Sequence, residues 1–196
     1  MREIIRMITV LTVLCAFAGG LLAAIRQGTM ERIENQQLQF VKGPAIMQIL
    51  KGCSNDPIKD RFKIADGKVE RSFFVGKFDG KPKAVALETA AKGFGGDVGV
   101  MVGIDVDTGK IVGVAVTTHS ETPGMGARAK TDPSFVEQFK GKSSQQTIRV
   151  TKDGGQINAL SGATITSRAV CLATTEAGRI FKRLKPEIQK DLQKFK

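Results

Sequence analysis

The sequence predicts an α+β protein in which one N-terminal transmembrane helix precedes a single domain of largely antiparallel strands with flanking helices. Three features carry that expectation. From Met7 to Ile25 no residue is charged, a run close to the ~20 residues a helix needs to cross a bilayer. From Val69 to Thr117, short apolar runs rich in Val and Ile alternate with turn residues, as antiparallel strands do. Beyond Thr164, the residues Val170, Ala173, Ala177, Ile180, Phe181 and Leu184 recur at steps of three and four, which makes one apolar helix face. The expected organisation is a short flank over 1–6, the membrane anchor over 7–25, a helical linking region over 26–60 and the folded domain over 61–196.

The anchor reading competes with a cleaved signal peptide. Cleavage requires small residues at minus three and minus one, and Leu21 before Ala23 and Leu22 before Ala24 spoil the two obvious sites. Gly19-Gly20 inside the span would let another membrane helix pack closely. Thr29 to Leu50 reads as a helix leaving the membrane, broken near Gly43-Pro44, and Gly52 to Asp60 reads as a loop. Strands are expected over Val69–Phe78 and Ala84–Leu87 around the Asp79-Gly80 turn, and over Asp97–Val106 and Lys110–Thr117 around Asp107-Thr108-Gly109. A short helix is expected over Phe135–Phe139, and a strand leading from Lys142 to about Thr151. Lys152-Asp153-Gly154-Gly155 then turns the chain towards the last helix.

Composition narrows the function. The chain has 196 residues, 41% of them hydrophobic, and a net charge of +11. Its Lys and Arg are scattered rather than blocked, and it has no Trp or Tyr, which argues against a nucleic-acid partner. A basic face near anionic lipid or an acidic redox partner fits the charge as well. The cysteines Cys15, Cys53 and Cys171 form no Cys-x-x-Cys motif, and there is one His, so a metal centre or His-based catalysis has little to draw on.

The stretch Asn158–Val170 joins a turn to the start of the last helix. Ser161, Gly162 and Ala163 are small, so the backbone there can approach a ligand. Thr164, Thr166 and Ser167 place hydroxyls where the helical pattern begins. A helix start has unpaired N–H groups and the positive end of the helix dipole, a seat for phosphate. On these residues alone, Thr164 or Thr166 as a simple N-cap is the competing reading.

Three segments resemble a known family. Ser161-Gly162-Ala163-Thr164-Ile165-Thr166-Ser167 is similar to the flavinylation motif of the FMN-binding domain family. His119-Ser120-Glu121-Thr122-Pro123-Gly124-Met125-Gly126 resembles the H-x-E-T-P-G-L-G loop of the RnfG proteins of Rnf-type complexes and of the related NqrC, with Met125 in place of Leu. Gly93-Phe94-Gly95-Gly96 resembles a glycine-rich segment of the same proteins. The resemblance covers about the whole chain. It implies a membrane-anchored electron carrier with FMN attached through a phosphoester to a threonine. That carrier would be part of an ion-translocating ferredoxin–NAD oxidoreductase complex of the inner membrane, single-pass, with its soluble domain outside the cytoplasm. It implies as partners the other membrane subunits, membrane lipid, and a flavin transferase during maturation.

Carried onto this sequence, the modified residue is Thr164, with Ser161, Gly162, Ala163, Ile165, Thr166 and Ser167 around it and Glu121, Thr122, Pro123, Gly124, Met125 and Gly126 as the opposing wall. Phe94 is a further candidate for stacking on the flavin ring, with a place in the core as the competing reading for one Phe among 11. Arg168 is a candidate for the phosphate or a solvated first-turn residue. One departure stands out: the motif has an acidic residue six positions before the modified threonine, and this chain has Asn158. No acid/base constellation suggests a complete enzyme. The rival functions are a stand-alone extracytoplasmic flavin-dependent reductase and a non-redox tethered binding module.

Overall fold

The structure, a computed structural model, describes residues 2–67 and 69–195; Met1, Lys68 and Lys196, which fall in the expected spans 1–6 and 61–196, lie outside them. The chain divides into two compact units, Met1–Leu38 and Gln39–Lys196.

The first unit is one helix, α1 (Arg2–Gln37). Its stretch Arg2–Met30 is long and apolar enough to cross a membrane. Ile8, Leu11, Leu14 and Phe17 are exposed along it, which suits a lipid environment. The hydroxyls of Thr9, Thr12 and Thr29 each donate to the carbonyl four residues back at 2.8 Å, so these polar groups are satisfied within the helix.

A π-helical turn, Leu38–Lys42, leads to α2 (Gly43–Ile49). The Gly43-Pro44 pair thus opens a helix where the sequence suggests a break. A proline in the first helical turn lacks only an N–H that would have no partner there, and its φ is already helical.

The second unit is built on a five-stranded sheet in the order β1-β2-β3-β4-β5, every neighbouring pair antiparallel. The strands are β1 (Arg61–Asp66), β2 (Val69–Phe78), β3 (Lys81–Lys92), β4 (Asp97–Asp105) and β5 (Ile111–Val116). Two short helices follow, α3 (Arg128–Thr131) and α4 (Pro133–Glu137), and then the long α5 (Thr164–Leu192). The register separates the two faces of the sheet. Phe73, Leu87, Val102 and Val114 lie opposite one another across four strands, and so do Phe74, Ala86, Gly103 and Gly113. The first row belongs to the buried cluster that includes Val170, Ala173, Ala177, Ile180, Phe181 and Leu184 of α5. The second row, with side chains on the other face by alternation, lies under α2, where Gly103 and Gly113 face Ile49. The result is a helix–sheet–helix sandwich with its larger core under α5.

Among the strands, two elements differ from the sequence expectation. No strand is expected ahead of Val69, because Arg61, Lys63 and Asp66 interrupt the apolar pattern there. The structure has β1 in that place, an edge strand held by Phe62 stacked on Phe73 with ring centroids 5.5 Å apart. The segment 142–151 forms isolated bridges, Lys110 with Ser143 and Val150 with Ile157, and no strand of its own. Its backbone turns to α5 instead: the Ile148 N–H donates to Thr175 Oγ1 at 3.0 Å, and the Ser144 carbonyl occupies the space that a side chain at Gly178 would fill.

Candidate functional site

Four chain segments meet at the N-terminal end of α5. They are the β3–β4 connection at Gly93–Gly96, the loop after β5 at Thr117–Ala127, the 3-10 turn Thr151–Asp153, and the turn into α5. Between them lies a cleft of about 520 Å³ lined by Phe94, Glu121, Thr122, Met125, Gly126, Lys152 and residues 162–166. That volume is in the range of small-ligand sites, roughly 300–1,000 Å³.

Glu121 joins three of the four segments. Its side chain is buried, with 6% of the residue exposed. Thr166 Oγ1 donates to Glu121 Oε2 in a short contact, and the Gly95 N–H donates to Oε1 at 2.9 Å. Burial alone would push this carboxyl's pKa up. The hydrogen bonds from Thr166 and from the Gly95 and Phe94 N–H groups, helped by His119, outweigh burial and hold it below the ordinary value. Glycine makes room for the carboxylate: a Cβ at Gly93 would stand 2.5 Å from Oε1, and one at Gly126 would stand 2.7 Å from both Oε2 and Thr166 Oγ1. His119 Nδ1 accepts from the Glu121 N–H at 3.3 Å, so this histidine shapes its own loop.

The start of α5 is built by Ser167. Its hydroxyl donates to the Ala163 carbonyl at 2.9 Å and accepts the Leu160 N–H at 3.0 Å, pinning the turn to the first helical residues. Gly162, at φ +75°, makes the turn that brings the chain to Ala163, and Met125 packs beside it. Ala163 is the N-cap, and no side chain caps the helix among the described residues. Neither Thr164 nor Thr166 is therefore a cap. Thr166 is buried with its proton committed to Glu121, whereas Thr164 is half-buried and lines the cleft.

The remaining expected residues divide by position. Glu121, Thr122, Met125, Gly126, Gly162, Ala163, Thr164, Ile165 and Thr166 line the cleft. Ser161, Pro123 and Gly124 are exposed nearby outside its lining, and Ser167 is buried behind it. Arg168 is directed elsewhere: its Nε and Nη2 each donate to Asp153 at 2.7 Å. Lys152 lines the cleft, whereas the sequence marks it only as part of a turn. Phe94, Met125 and Ile165 are large apolar residues exposed at the same cleft. Cys15, Cys53 and Cys171 are free; burial pushes the Cys171 thiol up to about 12, so it is inert near neutral pH.

Residues 93–178 match the FMN-binding domain family, a segment containing all four walls of the cleft. The G subunit of the ion-translocating oxidoreductase complex of Pseudomonas aeruginosa is 32% identical over 193 residues, covering 92% of this chain and 89% of that protein. The chain belongs to this G-subunit family. A further family member is the G subunit of the proton-translocating ferredoxin:NAD(+) oxidoreductase complex of Clostridium ljungdahlii, 34% identical over 170 residues and covering 85% of each chain. Among solved structures, the fold is shared with the C subunit of the Na(+)-translocating NADH-quinone reductase of Parabacteroides distasonis. The TM-score is 0.55 at 22% identity, over 76% of this chain and 94% of that one. Shewanella oneidensis NqrC gives a TM-score of 0.53 at 25% identity, over 71% and 72%.

The cleft suits the family's cofactor. FMN combines an apolar ring system with a phosphate, and the cleft combines exposed Phe94, Met125 and Ile165 with an uncapped helix start beside a lysine.

Proposed function

We propose that this chain is the membrane-anchored flavin protein of an ion-translocating ferredoxin–NAD oxidoreductase complex, carrying FMN covalently on Thr164. The observation that carries the reading is the uncapped start of α5, which opens at Thr164 into a cleft with an apolar rim. When bound, FMN accepts and passes on electrons; the protein's residues hold it and exclude competing contacts. Thr164 Oγ1 would be the attachment atom: a flavin transferase would supply FMN as a phosphoanhydride, the new O–P bond would form as the anhydride P–O bond breaks, the other phosphate half of the donor would leave, and the hydroxyl proton would pass to solvent. The N–H groups of the first turn of α5 have no intrahelical partner and receive the remaining phosphate charge. Thr166 and Ser167 maintain the helix start. The partners are the other membrane subunits of the complex, α1 is the single-pass anchor in membrane lipid, and the soluble domain lies on the extracytoplasmic side of the inner membrane.

The test uses chain co-expressed with an active transferase. A phosphoester survives denaturation, so the denatured band fluoresces under ultraviolet light. Thr164→Ala abolishes the fluorescence and leaves the fold intact, because Thr164 caps nothing. Thr166→Ala retains at least part of it. Peptide mass spectrometry that placed the FMN increment on Thr166, or found none, would refute the assignment. A chain without any flavin in either form would instead be a tethered binding module.

A further inference from the structure

We propose that Lys152 raises the reduction potential of the bound flavin by placing in the cleft a positive charge that is in no described ion pair. The inference rests on the FMN reading. Lys152 is the only lysine or arginine lining the cleft among the described residues. Among the described residues no ion pair engages Lys152. Arg168, near the start of α5, has the opposite arrangement. Its charge is matched by Asp153 in a two-pronged pair, and that hydrogen bonding holds the Asp153 carboxyl below the ordinary range.

The two cations are linked by the turn that carries both Lys152 and Asp153. This turn is stiff. The Asp153 and Gly155 N–H groups donate to the Val150 carbonyl at 2.9 and 3.0 Å, and Thr151 N–H donates to the Ile157 carbonyl at 2.8 Å. Gly154 closes the turn at φ +75°. Gly155 lies against the Arg149 backbone, where a side chain would not fit. With Asp153 tied to α5 through Arg168, its neighbour Lys152 is presented to the cleft at the helix start. The Arg168–Asp153 pair is therefore a positioning device, and Lys152 supplies the cleft's cation.

Charge near a flavin tunes its electronics. Reduction adds negative charge to the flavin, so a nearby ammonium favours the reduced form. Glu121 also charges the cleft, but its carboxylate is held by Thr166 and the Gly95 and Phe94 N–H groups and is in no described ion pair with Lys152, so replacing Lys152 alone still changes the field at the flavin.

The experiment is a redox titration of the full-length flavinylated chain in detergent. Lys152→Gln lowers the midpoint potential, and Lys152→Arg leaves it at the wild-type value. The gap between wild type and Lys152→Gln narrows as salt rises, because the screening length falls from about 10 Å at 0.1 M to about 3 Å at 1 M. A purely structural role would not show that salt dependence. An unchanged potential in Lys152→Gln at low salt, or an equal shift in Lys152→Arg, overturns the proposal while a fluorescent gel band keeps the FMN reading standing. A fluorescent wild type beside a dark Lys152→Gln overturns it too, by assigning the lysine to attachment. A dark wild type would mean that the FMN reading itself has failed.

Discussion

Two places in the domain use glycine to admit a foreign group, and they admit opposite kinds. Under α2, Gly103 and Gly113 leave a hollow in the sheet that Ile49 fills. At the cleft, Gly93, Gly95 and Gly126 leave a hollow that Glu121 and its loop fill. The first is apolar packing, which responds to volume and is indifferent to pH. The second is a buried charge, which is tolerated because hydrogen-bond donors surround it and which therefore couples the cleft to those donors. The same absence of a side chain thus produces a rigid floor in one place and a tunable wall in the other.

The largest effect is expected where the hollow is apolar. Gly103→Val places a branched side chain where Ile49 already sits, and should lower unfolding stability by about 3 kcal/mol in denaturant titration. The flavin absorption and midpoint potential should stay at wild-type values, since the hollow is on the α2 side of the sheet. A changed flavin spectrum would break the comparison by showing that the two hollows communicate.

A smaller loss of stability, but a visible flavin change, is expected at the charged hollow. Glu121→Ala leaves the Thr166 hydroxyl and the Gly95 N–H without their acceptor, at a cost of about 2 kcal/mol. Because this residue ties the Gly93–Gly96 segment to the start of α5, the absorption maximum or potential should shift as well. A stability loss with an unaltered flavin would reduce Glu121 to a packing residue.

The smallest effect is expected with pH. The folded pKa of Glu121 is lowered from the ordinary 4.5. Its stabilising contribution is therefore present above that value and is lost as pH falls through the lower, folded one. The stability difference between wild type and Glu121→Gln should accordingly shrink as pH is taken below 4.5. Asp66, Asp132 and Asp153 also have lowered values and weaken both proteins alike, so the difference isolates Glu121. A difference that stays constant down to about pH 2, well below the carboxylate range, would show that the carboxylate charge is not what holds the segments together.

What the sequence determined by itself is the set of elements whose signal is local. The uncharged run to Ile25, the Asp107-Thr108-Gly109 hairpin between β4 and β5, and the three- and four-residue spacing of α5 are all properties of neighbouring residues, and hydrophobic periodicity reports them directly. The short motifs Gly93–Gly96, Glu121–Gly126 and Gly162–Thr166 also point to segments that line the cleft, through their resemblance to the FMN-binding family rather than through any pattern that ties them together. Only the tertiary structure decided how the side chains are used. β1 is a strand because Phe62 meets Phe73 and because it has a neighbour to pair with, despite its charged residues. The segment 142–151 is not a strand because its backbone bonds are divided: Ile148 N–H goes to Thr175 of α5, Ser144 N–H to Gly109 and Thr151 N–H to Ile157. The sequence offers Arg168 as the cation for the phosphate and Lys152 only as a turn residue, yet Arg168 is paired with Asp153 and Lys152 lines the cleft. Glu121 bonds residues 26 and 45 positions away in the chain. No local pattern encodes such a partnership; it exists only once the sheet and α5 have packed and brought donors from two other segments to one buried acceptor.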